Sequence, residues 1–162
     1  MTPNRSQNRL LTMKMNLIRT NSLNTDFREL CLQLDRELEA RYGNVQSEYD
    51  RYNVIEDNRT VIVGYIDGIP AGIGCFKVFS EDSVEIKRMF VKAEHRRKGL
   101  STGILSALEN WAREQGFNSA ILETGKGQPE AINLYKKQGY KIIENYGQYI
   151  GNMNSLCMKK EL

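Results

Sequence analysis

Histidine is almost missing from this chain, and cysteine, proline and tryptophan are scarce: one His, three Cys, three Pro and one Trp in 162 residues. A single histidine argues against a His-based zinc centre, and no metal is expected. Cys31, Cys75 and Cys157 are odd in number, widely spaced and form no CxxC pair. They therefore read as reduced, small side chains of a cytoplasmic protein, neither a disulfide framework nor nucleophiles. No apolar run approaches the ~20 residues that cross a bilayer. The first twelve residues are polar and basic, without the apolar stretch of a secretory signal. Residues 1–13 are expected to be a disordered extension, with Met13 or Met15 as an alternative start, and 14–162 a single domain. Charge of one sign is lacking too. A net charge of +3 is too small for wholesale binding to nucleic acid or membrane. Internal repeats and Pro/Gly/Ser linkers are absent as well.

What is present is an ordinary globular composition, 40% hydrophobic and 27% charged, at a length that buries about two-thirds of the unfolded surface. Leu17–Thr20 reads as an edge strand. Thr25 or Asp26 caps a helix whose apolar residues Phe27, Leu30, Cys31, Leu34 and Leu38 keep the helical period. Arg41–Asn58 is polar and reads as a loop with a short helix. The β-branched run Thr60–Ile66 meets the turn Asp67-Gly68, and the chain returns over Ala71–Phe79 and again over Val84–Val91, an antiparallel meander. A helix over Gly99–Gln115 places Leu100, Ile104, Leu105, Leu108, Trp111 and Ala112 on one face. The strand Ala120–Glu123 follows, then a helix from Pro129 to about Gln138, then strands Tyr140–Ile143 and Ser155–Met158. The expected fold is α+β: a mixed, mostly antiparallel sheet of six to seven strands with about four helices.

The segment Arg96-Arg97-Lys98-Gly99-Leu100-Ser101-Thr102-Gly103 joins a strand to a helix. Glycine lets backbone N–H groups turn toward a ligand, the helix start adds partial positive charge, and three cations stand beside it. These features suit a pyrophosphate, and equally a basic solvated loop ahead of a plain amphipathic helix; the segment is not a Walker A loop. The alternative Gly125-Lys126-Gly127 lacks the upstream glycine and the Ser/Thr after lysine.

Arg96-x-x-Gly99-x-Ser101, following Met89-Phe90-Val91, resembles the pyrophosphate-gripping motif of the GNAT N-acetyltransferase superfamily, with Ser101 replacing the customary Gly or Ala. Ala131-Ile132-Asn133-Leu134-Tyr135-Lys136-Lys137-Gln138-Gly139-Tyr140 resembles the second motif of the same family, in order and at its spacing. The resemblance covers roughly Asn16 to the C-terminus. It implies a sheet splayed between its fourth and fifth strands and acetyl-CoA as cofactor. The expected cofactor contacts are Met89, Phe90, Val91, Arg96, Arg97, Lys98, Gly99, Leu100, Ser101, Thr102, Gln128, Asn133 and Tyr135. Within that set, the N–H of Met89 would meet the thioester carbonyl and that of Val91 the pantetheine arm. Tyr135 would face the cofactor sulfur as the acid. Glu85, eleven residues before Arg96, stands at the spacing of a glutamate base, with Glu123 as the alternative carboxylate. Arg88, Glu123, Tyr146 and Tyr149 would border the acceptor, Tyr146 and Tyr149 from a loop that also carries Gln148. The implied activity is acetyl transfer to a primary amine by direct attack in a ternary complex. A small-molecule acceptor is favoured over a protein or peptide, and a homodimer is in keeping with the family. A non-catalytic acyl-CoA sensor is the competing class, although it needs neither Glu85 nor Tyr135.

Overall fold

A computed structural model describes residues 13–43 and 57–162 of the chain. Most of the expected loop and short helix over Arg41–Asn58, and residues 1–12, lie outside the described residues. The strands are β1 (Met15–Thr20), β2 (Val61–Ile66), β3 (Ile69–Val78), β4 (Ser83–Val91), β5 (Ser119–Gly125), β6 (Lys141–Ile143) and β7 (Ser155–Glu161). The helices are α1 (Thr25–Tyr42), α2 (Leu100–Glu114) and α3 (Pro129–Lys137). Three α-helices thus stand among the described residues where about four were expected. The strands form one sheet in the order β1-β2-β3-β4-β5-β7-β6, antiparallel except for β4 beside β5.

Local chemistry accounts for the element ends. Asn24, one residue before the expected Thr25 or Asp26, caps α1: its side-chain oxygen accepts from the Phe27 N–H at 2.9 Å. Asp26 is occupied elsewhere, accepting from the Tyr65 hydroxyl at 2.6 Å. Asp67 and Gly68 both have positive φ, +49° and +80°, as a two-residue hairpin turn of the primed type requires.

The sheet buries both faces. On one side α2 lays Leu100, Ile104, Leu105 and Leu108 against Ile62, Phe76, Val84, Ile86 and Leu122, with Tyr135 of α3 in the same cluster. Each of those leucines and isoleucines contributes about 1.5–3 kcal/mol by leaving water. On the other side α1 packs Phe27, Leu30, Cys31 and Leu34 onto Val61, Val63, Ile73, Cys75 and Phe90. A carboxylate inside the α2 side is fully engaged: Glu109 accepts from the Tyr140 hydroxyl at 2.8 Å and from Lys160 at 3.0 Å. All three cysteines are free and buried.

Two irregularities in β4 shape everything that follows. It pairs with β5 only over Ser83–Glu85 against Ser119–Ile121 and then diverges, the splay the sequence led us to expect. Against β3 the partners run Cys75↔Lys87 and then Ile73↔Phe90, so Arg88 and Met89 together oppose Gly74. This is a β-bulge, and Arg88 carries its positive φ of +59°.

Candidate active site

The divergence of β4 from β5 opens a cleft walled by Ile86–Met89 of β4 and Glu123–Gly125 of β5. Leu34, Leu38 and Tyr42 of α1 border it, as do Gln128, Ala131 and Tyr135 at and within α3. Lys92 donates its N–H to Ala71 of β3 at 2.9 Å. Along an extended strand successive N–H groups point to opposite edges. The N–H of Phe90 therefore also faces β3, and those of Val91 and Met89 face the gap. Among the described residues no strand pairs with them there. Two backbone donors at a sheet edge lined by protein are a costly arrangement unless something accepts from them.

The bulge distributes the side chains. Lys87 sits on the α1 side of the sheet with its partner Cys75, and Arg88 reaches Asp35 of α1, also on that side. Met89 packs against the α2-side cluster, and Tyr135 belongs to that cluster. Tyr135 is buried, which raises the pKa of its hydroxyl, and nearby Glu123 raises it further. That phenol is neutral and a donor at any physiological pH, and its hydroxyl has no hydrogen-bond partner among the described residues.

The two candidate carboxylates differ. Glu85 is the last residue of β4 to pair with β5; it is buried, accepts from the Tyr146 hydroxyl at 2.7 Å, and has Lys77 and Lys87 at 3.7 and 3.9 Å. Its oxygens are spoken for, and it is not among the residues that line the cleft. Glu123 does line it. Burial lifts the Glu123 carboxyl to about 7, against smaller opposing effects of a hydrogen bond with Ser155 and the charge of Lys87. Its Oε1 is buried without a hydrogen-bond partner among the described residues. A lone carboxylate oxygen is thereby held ready for a donor and half-ionised near neutrality.

The cation-rich turn lies at the end of β4. Gly99, with φ of +83°, is the N-cap of α2, and no side chain caps it. The first helical bond runs from the Gly103 N–H to the Gly99 carbonyl at 3.0 Å. The N–H groups of Leu100, Ser101 and Thr102 therefore have no partner within the helix. Arg97, also at positive φ (+61°), and Lys98 are exposed and make no ion pair with a described residue. Arg96 is engaged: it clasps Glu37 of α1 at 2.8 and 2.9 Å and donates from Nε to the Val91 carbonyl at 2.8 Å.

The structure brings most of the expected residues to this one splay but not all to the cleft. Gln128 borders it as the N-cap of α3, whereas Asn133 is exposed. Tyr149 is buried and Tyr146 half-buried. They pack edge to face at 5.6 Å, and Tyr146 also meets Phe79 at 5.1 Å, so this loop holds Glu85 more than it opens to solvent. Sequence reasoning gave no role to Asp35, Glu37 or Tyr42. Their only sequence signal is a polar stripe on α1, which means nothing until α1 docks across the splay.

The family model described as the Acetyltransferase (GNAT) family matches residues 22–140. An IAA acetyltransferase of Azospirillum brasilense is 31% identical over 136 residues, covering 83% of this chain and 89% of that protein. Human N-acetyltransferase 8 is 29% identical over 87 residues, 54% of this chain and 37% of the relative. Among solved structures, a putative acyl-CoA N-acyltransferase from Klebsiella pneumoniae superposes with a TM-score of 0.71 at 26% identity, covering 93% of this chain and 98% of that one. A PaiA N-acetyltransferase from Thermoplasma acidophilum, solved in complex with coenzyme A, shares the fold with a TM-score of 0.70 at 14% identity, covering 92% and 99%.

Proposed function

This chain belongs to the acetyltransferase (GNAT) family, whose acyl donor is acetyl-CoA, and from that premise we propose direct acetyl transfer to the primary amine of a small molecule, with Glu123 as the base. The observation that carries this reading is the pairing, at one splay, of two unclaimed strand amides with a carboxyl whose pKa lies near neutrality.

The fit of acetyl-CoA rests on donors already in place. The Leu100, Ser101 and Thr102 amides with Arg97 and Lys98 suit a pyrophosphate, and the Val91 amide suits an extended amide-bearing arm. Arg96 contributes by exchanging Glu37 for phosphate or by staying put to hold α1 over the site. The donor supplies the acetyl group as a thioester. The Met89 N–H polarises the carbonyl oxygen that gains charge, a contribution that survives any side-chain change at this position.

The two faces divide the labour. An amine of pKa about 10.4 spends roughly 4–5 kcal/mol to be free base at pH 7. Glu123, which lines the cleft and is half-ionised at neutrality, takes that proton directly or through water. Glu85 is the second carboxylate on this face, 3.9 Å from Lys87. Tyr135, from the opposite side, donates a hydrogen bond to the departing thiolate. A phenol held above its usual pKa stabilises a thiolate of pKa about 8.5 by that bond more than by early proton transfer. The three buried free cysteines are in keeping with a reducing, cytoplasmic setting. Among the described residues no helix is long and apolar enough to cross a membrane.

The test is free-thiol release from acetyl-CoA with an amine panel, followed across pH. Glu123→Gln should lower kcat/KM by about 10²–10³ and remove the limb that rises through pH 7, and Tyr135→Phe should lower kcat with little change in KM. If Glu85→Gln removes that limb while Glu123→Gln keeps it, the base is Glu85 instead.

A further inference from the structure

Gly125-Lys126-Gly127, which lacks the makings of a phosphate loop, has a different use in the fold. Along β5 side chains alternate between the two faces. Ala120 and Leu122 belong to the α2-side cluster, so Ile121, Glu123 and Gly125 point toward α1. At Gly125 that row has no side chain, and the ring of Tyr42, the last residue of α1, stands in its place. A Cβ on Gly125 would collide with the Tyr42 hydroxyl and lie 2.9 Å from Cζ. A Cβ on Gly127 would lie 3.0 Å from the same hydroxyl and 3.1 Å from Cε1. The two glycines form a socket for one phenol.

The end of α1 is held over that socket. Arg41 donates to the Gly127 carbonyl at 3.2 Å and lies 3.5 Å from Glu130. Gly43, with φ of +59°, closes the helix by donating its N–H to the Glu39 carbonyl. The Tyr42 hydroxyl is buried beside Gln128 and Gly127, without a completed hydrogen bond among the described residues. Burial keeps it protonated against the pull of those two neighbours. Tyr42 nevertheless lines the cleft. With its hydroxyl end inside the turn, the surface it gives the cleft is ring carbon. This ring stands two residues from Glu123 along the same row of β5, and Leu34 and Leu38 of α1 continue the wall. Lys87 and Arg88 share that wall with carboxylates already beside them, Glu85 at 3.9 Å and Asp35 at 2.5 Å. The part that no protein group claims is flat and apolar, next to the carboxyl that takes the acceptor's proton.

Resting on the acetyltransferase reading above, we propose that Tyr42 determines acceptor specificity: the acceptor is a primary amine on a short linker to an aromatic group, its amine facing Glu123 and its aromatic group packed on the Tyr42 ring. Two rings in offset or edge-on contact gain more than the apolar area they bury. Because the socket glycines and Arg41 hold the phenol in place, that contact also fixes how far the amine stands from the aromatic group. A small hydroxylated amine reaches Glu123 without this anchor.

Paired acceptors test this on the unmodified protein, with thiol release from acetyl-CoA as the readout. Phenethylamine should be used with kcat/KM about tenfold or more above ethanolamine, within the range that apolar pocket contacts give. Tyr42→Ala should erase most of that difference, raising KM for phenethylamine far more than for ethanolamine. Tyr42→Phe keeps the ring and should keep the difference. Tyr42→Leu fills the socket with apolar volume but no ring, and decides the matter if Tyr42→Ala does not fold; it too should bring the two amines together. Equal use of the two amines by the parent protein overturns the acceptor class and leaves the transferase reading standing. So does a difference that survives in Tyr42→Ala or Tyr42→Leu, or one that is lost in Tyr42→Phe. Acetyl-CoA binding without thiol release for any acceptor would instead remove the transferase reading and this one with it.

Discussion

At the scale of single residues, two glutamates on the same face of one sheet have different roles because of what surrounds them. Glu85 is surrounded by a tyrosine hydroxyl and two lysines, whereas Glu123 keeps one oxygen without a hydrogen-bond partner among the described residues. Burial holding Glu123 at about 7 against an ordinary 4.5 has a consequence for stability as well as for rate. Between those values the unfolded chain has lost this proton and the folded chain keeps it, so stability falls as pH rises through the window. The loss is on the order of 3 kcal/mol once pH exceeds 7. Glu123→Gln should therefore raise Tm by several degrees at pH 8, with the gap narrowing at pH 5, in the same variant that loses activity. Thermal melts at the two pH values check this, and an unchanged difference between them would mean the carboxyl is not held neutral by burial. Sequence supplied both glutamates as candidates; their different protonation came from neighbours contributed by three other elements.

At the scale of elements, β4 is the part on which the site depends. Its pairing with β5 ends at Glu85, and its bulge sits opposite Gly74. That glycine is required by contact, since a Cβ there would stand 2.6 Å from the Met89 sulfur, 2.9 Å from Ile104 Cγ2 and 3.0 Å from Leu108 Cδ1. Gly74→Ala should cost about 1–3 kcal/mol by overpacking. Because the Met89 sulfur stands nearest to that Cβ, the variant should also lose kcat out of proportion to its stability. A denaturant melt paired with steady-state kinetics separates the two effects. The extended run Val84–Val91 was legible from its β-branched composition; the bulge was not. Nothing in Lys87-Arg88-Met89 marks it, and Arg88 adopts its left-handed backbone because the partner strand offers one small residue against two.

At the scale of the whole molecule, α1, β4, α2 and α3 meet at one end of the sheet, and charge is arranged in two zones there. Arg96 is tied to Glu37, whose neighbour Arg41 also reaches Glu130 at 3.5 Å, so a chain of ion pairs links α1 to both the turn and α3. Arg97 and Lys98 stay outside that chain and face solvent. The double variant Arg97→Ala, Lys98→Ala should weaken acetyl-CoA binding about tenfold or more and flatten its salt dependence, with Tm within a degree or two of the parent. Calorimetric titration at two ionic strengths measures this, and an unchanged Kd would move the phosphate contact to Arg96 and the helix amides alone.

The sequence by itself determined the sheet-and-helix succession, the helix faces and the basic turn before Gly99. Each of these is local: a periodicity, a capping residue or a glycine acts within a few positions of itself. It also carried both motifs that name the family, since their residues are contiguous. Only the tertiary structure decided where β4 leaves β5, that Lys87 and Arg88 share a face, that Asn24 caps α1 while Asp26 serves Tyr65, and that Glu123 lines the cleft while Glu85 is bonded away. The physical reason is common to all four. Each depends on which distant residue offers an acceptor, a charge or a missing side chain, and that is set by packing between elements rather than by neighbours in the chain.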